Sequence, residues 1–191
     1  MSPNIRKQQS RFSIIYADPP WRFSHGQPDR TTGAKGRVLP YPVMRTTNIC
    51  DLPIQQIAEQ DCVLFLWAIY PMLPDALRVI RSWGFTFKTV AFTWVKENPS
   101  GNGFHFGMGY WTRSNPEICL LATRGSPKRI SKAVPNLIVS KRREHSRKPD
   151  EVRNRIVDLC GDLPRIELFA RIKSEGWDVW GDEVDSIISL K

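Results

Sequence analysis

The apolar run Phe12-Ser13-Ile14-Ile15-Tyr16-Ala17 and the Asp18-Pro19-Pro20-Trp21 that stops it constrain this chain more than any other feature. A short β-type run ending at an acid and two prolines predicts a buried strand that closes in a rigid loop. Pro19 pushes Asp18 into an extended conformation, and each proline fixes its own φ and removes a backbone donor. What remains is a stiff turn of acceptors, the Asp18 carboxylate and a row of carbonyls, with an indole beside them. An ordinary turn with Trp21 packed as core would leave the same four residues. The position at a strand's carboxyl end, where open α/β sheets place ligands, favours a site.

A turn of this kind suits a planar group rich in N–H donors, and adenine's exocyclic amine fits. The amine's lone pair is delocalised into the ring, so the free nitrogen is a poor nucleophile. Two acceptors receiving both hydrogens favour a more pyramidal, more nucleophilic nitrogen, and such groups help most where charge changes in the transition state. The Trp21 face can hold the base in line. A carboxylate here also attracts a cationic methyl donor.

A chain of 191 residues fits one domain with a good-sized core, expected over 12–191 behind a basic tail at 1–11. No signal peptide, bilayer-length apolar run or internal repeat is visible, so no membrane role is expected. Cys50, Cys62, Cys119 and Cys160 are far apart and form no CxxC pair, and there are three histidines. A metal site is therefore not expected, buried free thiols are, and a reducing cytoplasm is the implied setting. The formal charge of +9 is uneven: Arg124 to Arg155 holds eleven Lys/Arg against three acids, so eight of the nine excess charges lie there. A solvated surface is the plain explanation for any basic run. Beside a candidate base-modifying turn, Lys128, Arg129, Lys141, Arg142, Arg143 and Arg147 are better explained as phosphate contacts.

Between the landmarks, Arg22 to Arg45 reads as a long glycine- and proline-rich loop, and Asp51 as the N-cap of a helix. Cys62–Trp67 reads as a buried parallel strand, and Pro71–Trp83 as a helix closed by Gly84. Strands are expected over Phe85–Val95, Glu117–Thr123, Leu137–Val139, Arg165–Ala170 and Trp177–Trp180, with a helix over Pro149–Cys160 closed by Gly161. Alternation of this kind indicates a mostly parallel α/β sheet. Gly107-Met108-Gly109 lacks the strand-before, helix-after setting of a dinucleotide fingerprint. The aromatics of Gly101–Trp111 are expected either to pack their own loop or to offer a stacking surface to a displaced or flipped base, packing before stacking. Trp67 and Trp94 read as core, and none of the three histidines shows a nucleophile–base pattern.

Asp18-Pro19-Pro20-Trp21 does not stand alone. Tyr41-Pro42-Val43-Met44, Phe65-Leu66-Trp67, Thr93-Trp94-Val95-Lys96 and Gly109-Tyr110-Trp111 with Glu117 follow, then Ser146-Arg147-Lys148-Pro149-Asp150-Glu151 and Ile166-Glu167-Leu168-Phe169-Ala170-Arg171. In that order, over roughly 12–183, the blocks resemble the adenine-N6 methyltransferases typified by the seventy-kilodalton catalytic subunit of the messenger-RNA adenosine methyltransferase, especially compact bacterial and phage members. The resemblance implies a Rossmann-like class I methyltransferase fold, a mostly parallel sheet with helices on both faces and a permuted motif order. It implies S-adenosylmethionine as methyl donor and adenine in nucleic acid, DNA before RNA, as substrate. It also implies base flipping or a single-stranded substrate, because the amine is paired inside a duplex. With no separate recognition domain visible, a homodimer or a partner subunit remains open.

The resemblance assigns catalysis to Asp18, Pro19, Pro20 and Trp21. It assigns donor binding to Asp18, Lys148, Glu167, Leu168, Phe169 and Arg171, with Asp182 and Glu183 standing where some relatives carry an Asn-Gln pair. Lys148 just before a helix opens is mildly unfavourable against the dipole and invites a reason; a phosphate contact or simple solvation would serve as well as the donor's carboxylate. Longer relatives read the donor's adenine with an acid on an earlier strand, which only a short polar tail precedes here, so weaker donor affinity is expected. Two other readings stand beside this one: an RNA adenosine methyltransferase, and a catalytically silent nucleic-acid-binding subunit, whose relatives have lost the Asp-Pro-Pro-Trp pattern that this chain keeps.

Overall fold

A computed structural model of the chain describes residues 11–22, 32–33, 37–38, 42–109, 111–143 and 147–190. The expected tail lies almost wholly outside these residues, as do most of the loop after Arg22, Tyr41, Tyr110, Ser146, His25 and His145.

Seven strands form one sheet: β1 (Phe12–Ala17), β4 (Ala58–Ala68), β5 (Thr86–Glu97), β6 (Glu117–Arg124), β7 (Leu137–Lys141), β8 (Arg165–Leu168) and β9 (Asp178–Trp180). Their order is β7-β5-β6-β4-β1-β8-β9, while β2 (Thr32–Gly33) and β3 (Arg37–Val38) pair separately. All neighbours are parallel except β6, which runs antiparallel to both β4 and β5. β1 lies at the centre, parallel to β4 on one side and β8 on the other. Apart from Ser13 its residues are buried because both sheet faces are covered, which is why the strand reads as almost continuous hydrophobe.

One face carries α1 (Thr46–Cys50), α2 (Ile54–Ile57) and α3 (Leu73–Ser82), which pack Ile49, Ile54, Val79 and Ile80 against Ile15, Ala17, Leu64 and Leu66. The other carries α4 (Glu151–Cys160), whose Val152 and Ile156 join Ile14, Tyr16, Phe65 and Trp94. The expectation of helices on both faces is met. Because the chain leaves β1 over one face and reaches β8 from the other, a crevice opens beyond the carboxyl end of β1, where ligands bind in such sheets.

One local expectation is corrected. Asp51 does not cap a helix N-terminus; it is the C-cap of α1, its N–H donating to the Thr47 carbonyl at 3.0 Å while Leu52 N–H donates to the Ile49 carbonyl at 3.3 Å. The Asp-Leu-Pro signal suits a helix start, but the apolar Ile49 upstream already anchors the preceding turn in the core. Gly84 and Gly161, at φ of 80° and 92°, close α3 and α4 in the left-handed region as expected. All four cysteines are free; Cys62, Cys119 and Cys160 are buried, and burial pushes the Cys62 thiol up to about 12 and Cys160 up to about 11.

Buried tryptophans keep their N–H groups paired: Trp83 donates to the Ile49 carbonyl at 2.8 Å and Trp67 to the Tyr16 hydroxyl at 2.7 Å. Trp83→Phe keeps most of the apolar burial but removes the indole bond to the Ile49 carbonyl, leaving it only the longer bond from Leu52 N–H. Urea unfolding should show a loss of about 1–3 kcal/mol, and a loss near zero would contradict the role given to that bond.

Candidate active site

The acceptor turn sits at the tip of β1. Trp21 N–H donates to the Pro19 carbonyl at 2.8 Å, so Pro19-Pro20-Trp21 closes on itself, and Met44 N–H donates to the Pro20 carbonyl at 2.8 Å. The Trp21 indole N–H reaches the Trp67 carbonyl at 3.0 Å, fixing the ring against the end of β4. Of the two proline carbonyls, each keeps one further lone pair.

Lys148 closes the site from the segment before α4. Its ammonium donates to both Asp18 carboxylate oxygens at 2.8 and 2.7 Å and lies 3.2 Å from Glu117. It also stands 5.4 Å from the Trp67 ring centroid. Glu117 takes a second cation, Lys96, at 2.7 Å. The Lys148 and Glu117 side chains are 9% and 8% exposed, whereas Asp18 keeps 32%, so the open end of the cluster is the Asp18 carboxylate.

Electrostatics follow from that packing. Burial opposes a charged Lys148, but Asp18 and Glu117 overcome it and hold the ammonium above its ordinary value. Burial likewise pushes Glu117 up, and Lys148 with Lys96 more than reverses this, leaving it below 4.5. Asp18 ends above its ordinary 3.8: burial outweighs Lys148, and the nearby Glu117 charge adds to the rise.

Two open cavities adjoin at Asp18, Pro20 and Arg171. The first is walled by Pro19, Trp21, Trp67, Ile69, Glu117 and Lys148. The second is walled by Met44, Phe169, Trp180, Gly181, Asp182 and Glu183. Phe169 has φ of 60°, rare for a bulky side chain, and meets Trp180 edge-on at 5.3 Å. Strain of this kind concentrates at sites. Here it turns an aromatic face into the groove where an alternating strand would bury it.

Most of the residues expected at the site come together: Asp18, Pro19, Pro20, Trp21, Lys148, Phe169, Arg171, Asp182 and Glu183 all line the two cavities. Glu167 and Leu168 do not. Leu168 is buried in the core under α1–α3. Glu167, one step earlier and on the other face, is held by Arg153 through bonds of 2.7 and 2.8 Å. Glu117 has no assigned role in the sequence motif; its place comes from β6, which runs backward and so starts at the edge where β1 ends.

The basic segment divides. Lys141 ends β7 and Arg142 N–H bonds the Glu97 carbonyl at 3.0 Å, on the edge of the sheet that holds Asp18. Arg143 and Arg147 lie beside them, converging on Asp150 at 2.6 and 3.1 Å; the Arg143 bond holds Asp150 down at about 2. Lys128 and Arg129 follow β6 to the opposite edge, where Ser126 N–H meets Asp61 and Ile130 N–H meets the Leu159 carbonyl. Among the described residues no cluster of three metal-ligating side chains occurs, and no helix is long and apolar enough to cross a membrane.

Residues 12–183 match the MT-A70 family. The chain belongs to that family. With membership come the reaction class and the methyl donor: adenine-N6 methylation from S-adenosylmethionine. The chain is 33% identical over 193 residues to a type II methyltransferase, M.MunI, from Mycoplasma sp, covering 92% of this chain and 79% of that protein. It is 30% identical to a putative N(6)-adenosine-methyltransferase MT-A70-like protein of Medicago truncatula and 28% identical to the Homo sapiens N(6)-adenosine-methyltransferase catalytic subunit METTL3. It spans only 27% and 29% of those two longer proteins.

Glu117→Gln tests the ion cluster. It should cost about 2 kcal/mol near pH 7. Because the folded protein holds Glu117 below 4.5, that contribution is complete above pH 4.5 and fades as pH falls toward the folded value. Chemical denaturation of both proteins across pH 3 to 7, both taken as approximate limits, should show the gap closing at the acid end; a gap independent of pH would contradict the pairing.

Proposed function

We propose that this chain methylates the N6 amine of adenine in DNA, with the amine held by the Asp18 turn and the methyl donor in the adjoining groove. The observation that carries this is the meeting of the two cavities at Asp18, where an acceptor turn and a groove with nucleoside-like chemistry share one wall.

On the base side, the Asp18 carboxylate and the spare lone pair of the Pro19 carbonyl accept the two amine hydrogens. Pro20 locks the turn through Met44, and Trp21, tied to the Trp67 carbonyl, offers its face to the ring. On the donor side, the residues present fit S-adenosylmethionine: Phe169 for the adenine face, Asp182 and Glu183 as acceptors for ribose hydroxyls, and Lys148 for the carboxylate. Arg171, 3.8 Å from Glu183, orients that acceptor edge. The donor supplies an electrophilic methyl group on a sulfonium. The chain's own work is to draw electron density toward the amine nitrogen, hold the Asp18 carboxyl in place through Lys148 and exclude water with Trp21 and Trp67. Glu167 then acts at one remove, holding Arg153 beside Tyr16 under the β1 strand.

DNA is favoured over RNA by likeness to the type II methyltransferase, whose own length the chain nearly spans. The Lys141, Arg142, Arg143 and Arg147 edge would take backbone phosphates. Lys128 and Arg129 would meet nucleic acid only if it reached the far edge. Four free thiols fit a reducing cytoplasm. On this reading 12–191 is one methyltransferase domain, with target choice left to a partner or second copy.

Incubation with labelled S-adenosylmethionine and DNA, RNA or neither, followed by nucleoside mass spectrometry, should give N6-methyladenine from DNA. Label in RNA alone would move the substrate, and label in cytosine would end the assignment. Asp18→Ala should lower kcat/KM at least about a hundredfold with unchanged circular dichroism. The acid limb of wild-type activity should lie above pH 3.8 and move down in Glu117→Gln, which removes a like charge from Asp18.

A further inference from the structure

We propose that the segment 98–116 is a base-stacking platform for the single strand flanking the target adenine, presented by Phe104, Phe106, Met108 and Trp111. The proposal rests on the reading of the site as an adenine methyltransferase and adds a binding surface to it. These four side chains do not pack their loop, contrary to the expectation from sequence: Trp111 is 94% exposed, Met108 81%, and both phenylalanines are more than half exposed. A patch of that kind on a protein surface marks a binding face.

Placement names the partner. The segment leaves β5 just after Lys96 and returns to β6 at Glu117, and those two residues form the ion pair that backs Lys148. The platform therefore rises from the wall of the site. It is held in shape by the buried Asn115, which accepts the Lys96 N–H at 2.9 Å and donates to the Lys96 carbonyl at 2.8 Å and to the His105 carbonyl. Gly107 N–H closes on the Ser114 carbonyl at 2.7 Å. The aromatics are thus displayed on a braced scaffold.

Charge argues against the simplest rival, a contact between two copies of this chain. No acid occurs between Asn98 and Pro116, and the segment's charged residue is Arg113. Arg142 packs alongside, its guanidinium 3.4 Å from the His105 ring nitrogen, with Lys141 next to it. A two-fold contact between copies of this chain would bring the same patch to itself and oppose like charges. Exposed rings interleaved with cations are the surface that stacks bases and tracks phosphates. A base extruded toward Asp18 leaves neighbours unstacked, and the platform receives one of them.

Fluorescence anisotropy with a labelled single-stranded DNA oligonucleotide, at several salt concentrations, tests this on the full chain. Phe106→Ser with Trp111→Ser should weaken binding about tenfold or more while leaving the salt slope and S-adenosylmethionine binding unchanged. Arg142→Gln should instead lower the slope by about one. The double variant should raise KM for DNA with kcat preserved. Equal affinity in the double variant would overturn the platform, as would sedimentation showing a wild-type dimer that the double variant dissolves at unchanged DNA affinity. If the wild type methylates adenine but the variants bind as tightly, the platform alone fails; if the wild type neither binds nor methylates, the reading of the site fails with it.

Discussion

One ammonium group, that of Lys148, holds the site together. It reaches both oxygens of Asp18 at the end of β1 and Glu117 at the start of β6, joining three segments that are far apart in sequence. Buried charges persist only when paired and hydrogen-bonded. Here the pairing is lopsided by design of the packing: Glu117 is enclosed and has two cations, while Asp18 keeps an open side. At Asp18 the Lys148 ammonium opposes the burial that favours the neutral form, though burial still leaves that carboxyl above its ordinary value.

The sheet makes that arrangement reachable. β1 lies at the point where the chain switches faces, so its carboxyl end opens into a crevice instead of under a helix. The single reversed strand, β6, brings its first residue to the same edge and contributes an acid that a wholly parallel sheet would have placed at the far end. The two prolines stiffen what the crevice receives, since neither needs a donor there. A left-handed Phe169 completes the second cavity.

The central strand, its acceptor turn and α4 were legible in sequence because each rests on local chemistry: continuous hydrophobe, paired proline, proline-to-glycine bracketing of a helix. What depended on topology was not. Glu117 acquires its role only when β6 runs backward, and no residue near it announces that direction. Lys128 and Arg129 share a charge run with Arg142 but are separated from it by the length of the sheet, since β6 and β7 carry the chain to one edge and back. The resemblance assigns Glu167 to the donor, but a buried carboxylate needs a partner and here that partner is Arg153 from α4, a pairing across the layer that strand periodicity does not reveal. The place of Asp51 and the exposure of Phe104, Phe106 and Trp111 are hidden in sequence for a related reason, as propensity and hydrophobicity do not say what lies opposite.

The claim on which the account turns is that the Asp18 tip grips an adenine amine while the sulfonium sits in the neighbouring groove. A crystal structure with adenosine and S-adenosylhomocysteine bound tests it directly. The account predicts N6 about 3 Å from an Asp18 oxygen and from the Pro19 carbonyl, with the sulfur between Asp18 and Phe169. Adenosine seated with N6 beyond hydrogen-bond reach of Asp18, or sulfur on the far side of the sheet, would contradict it.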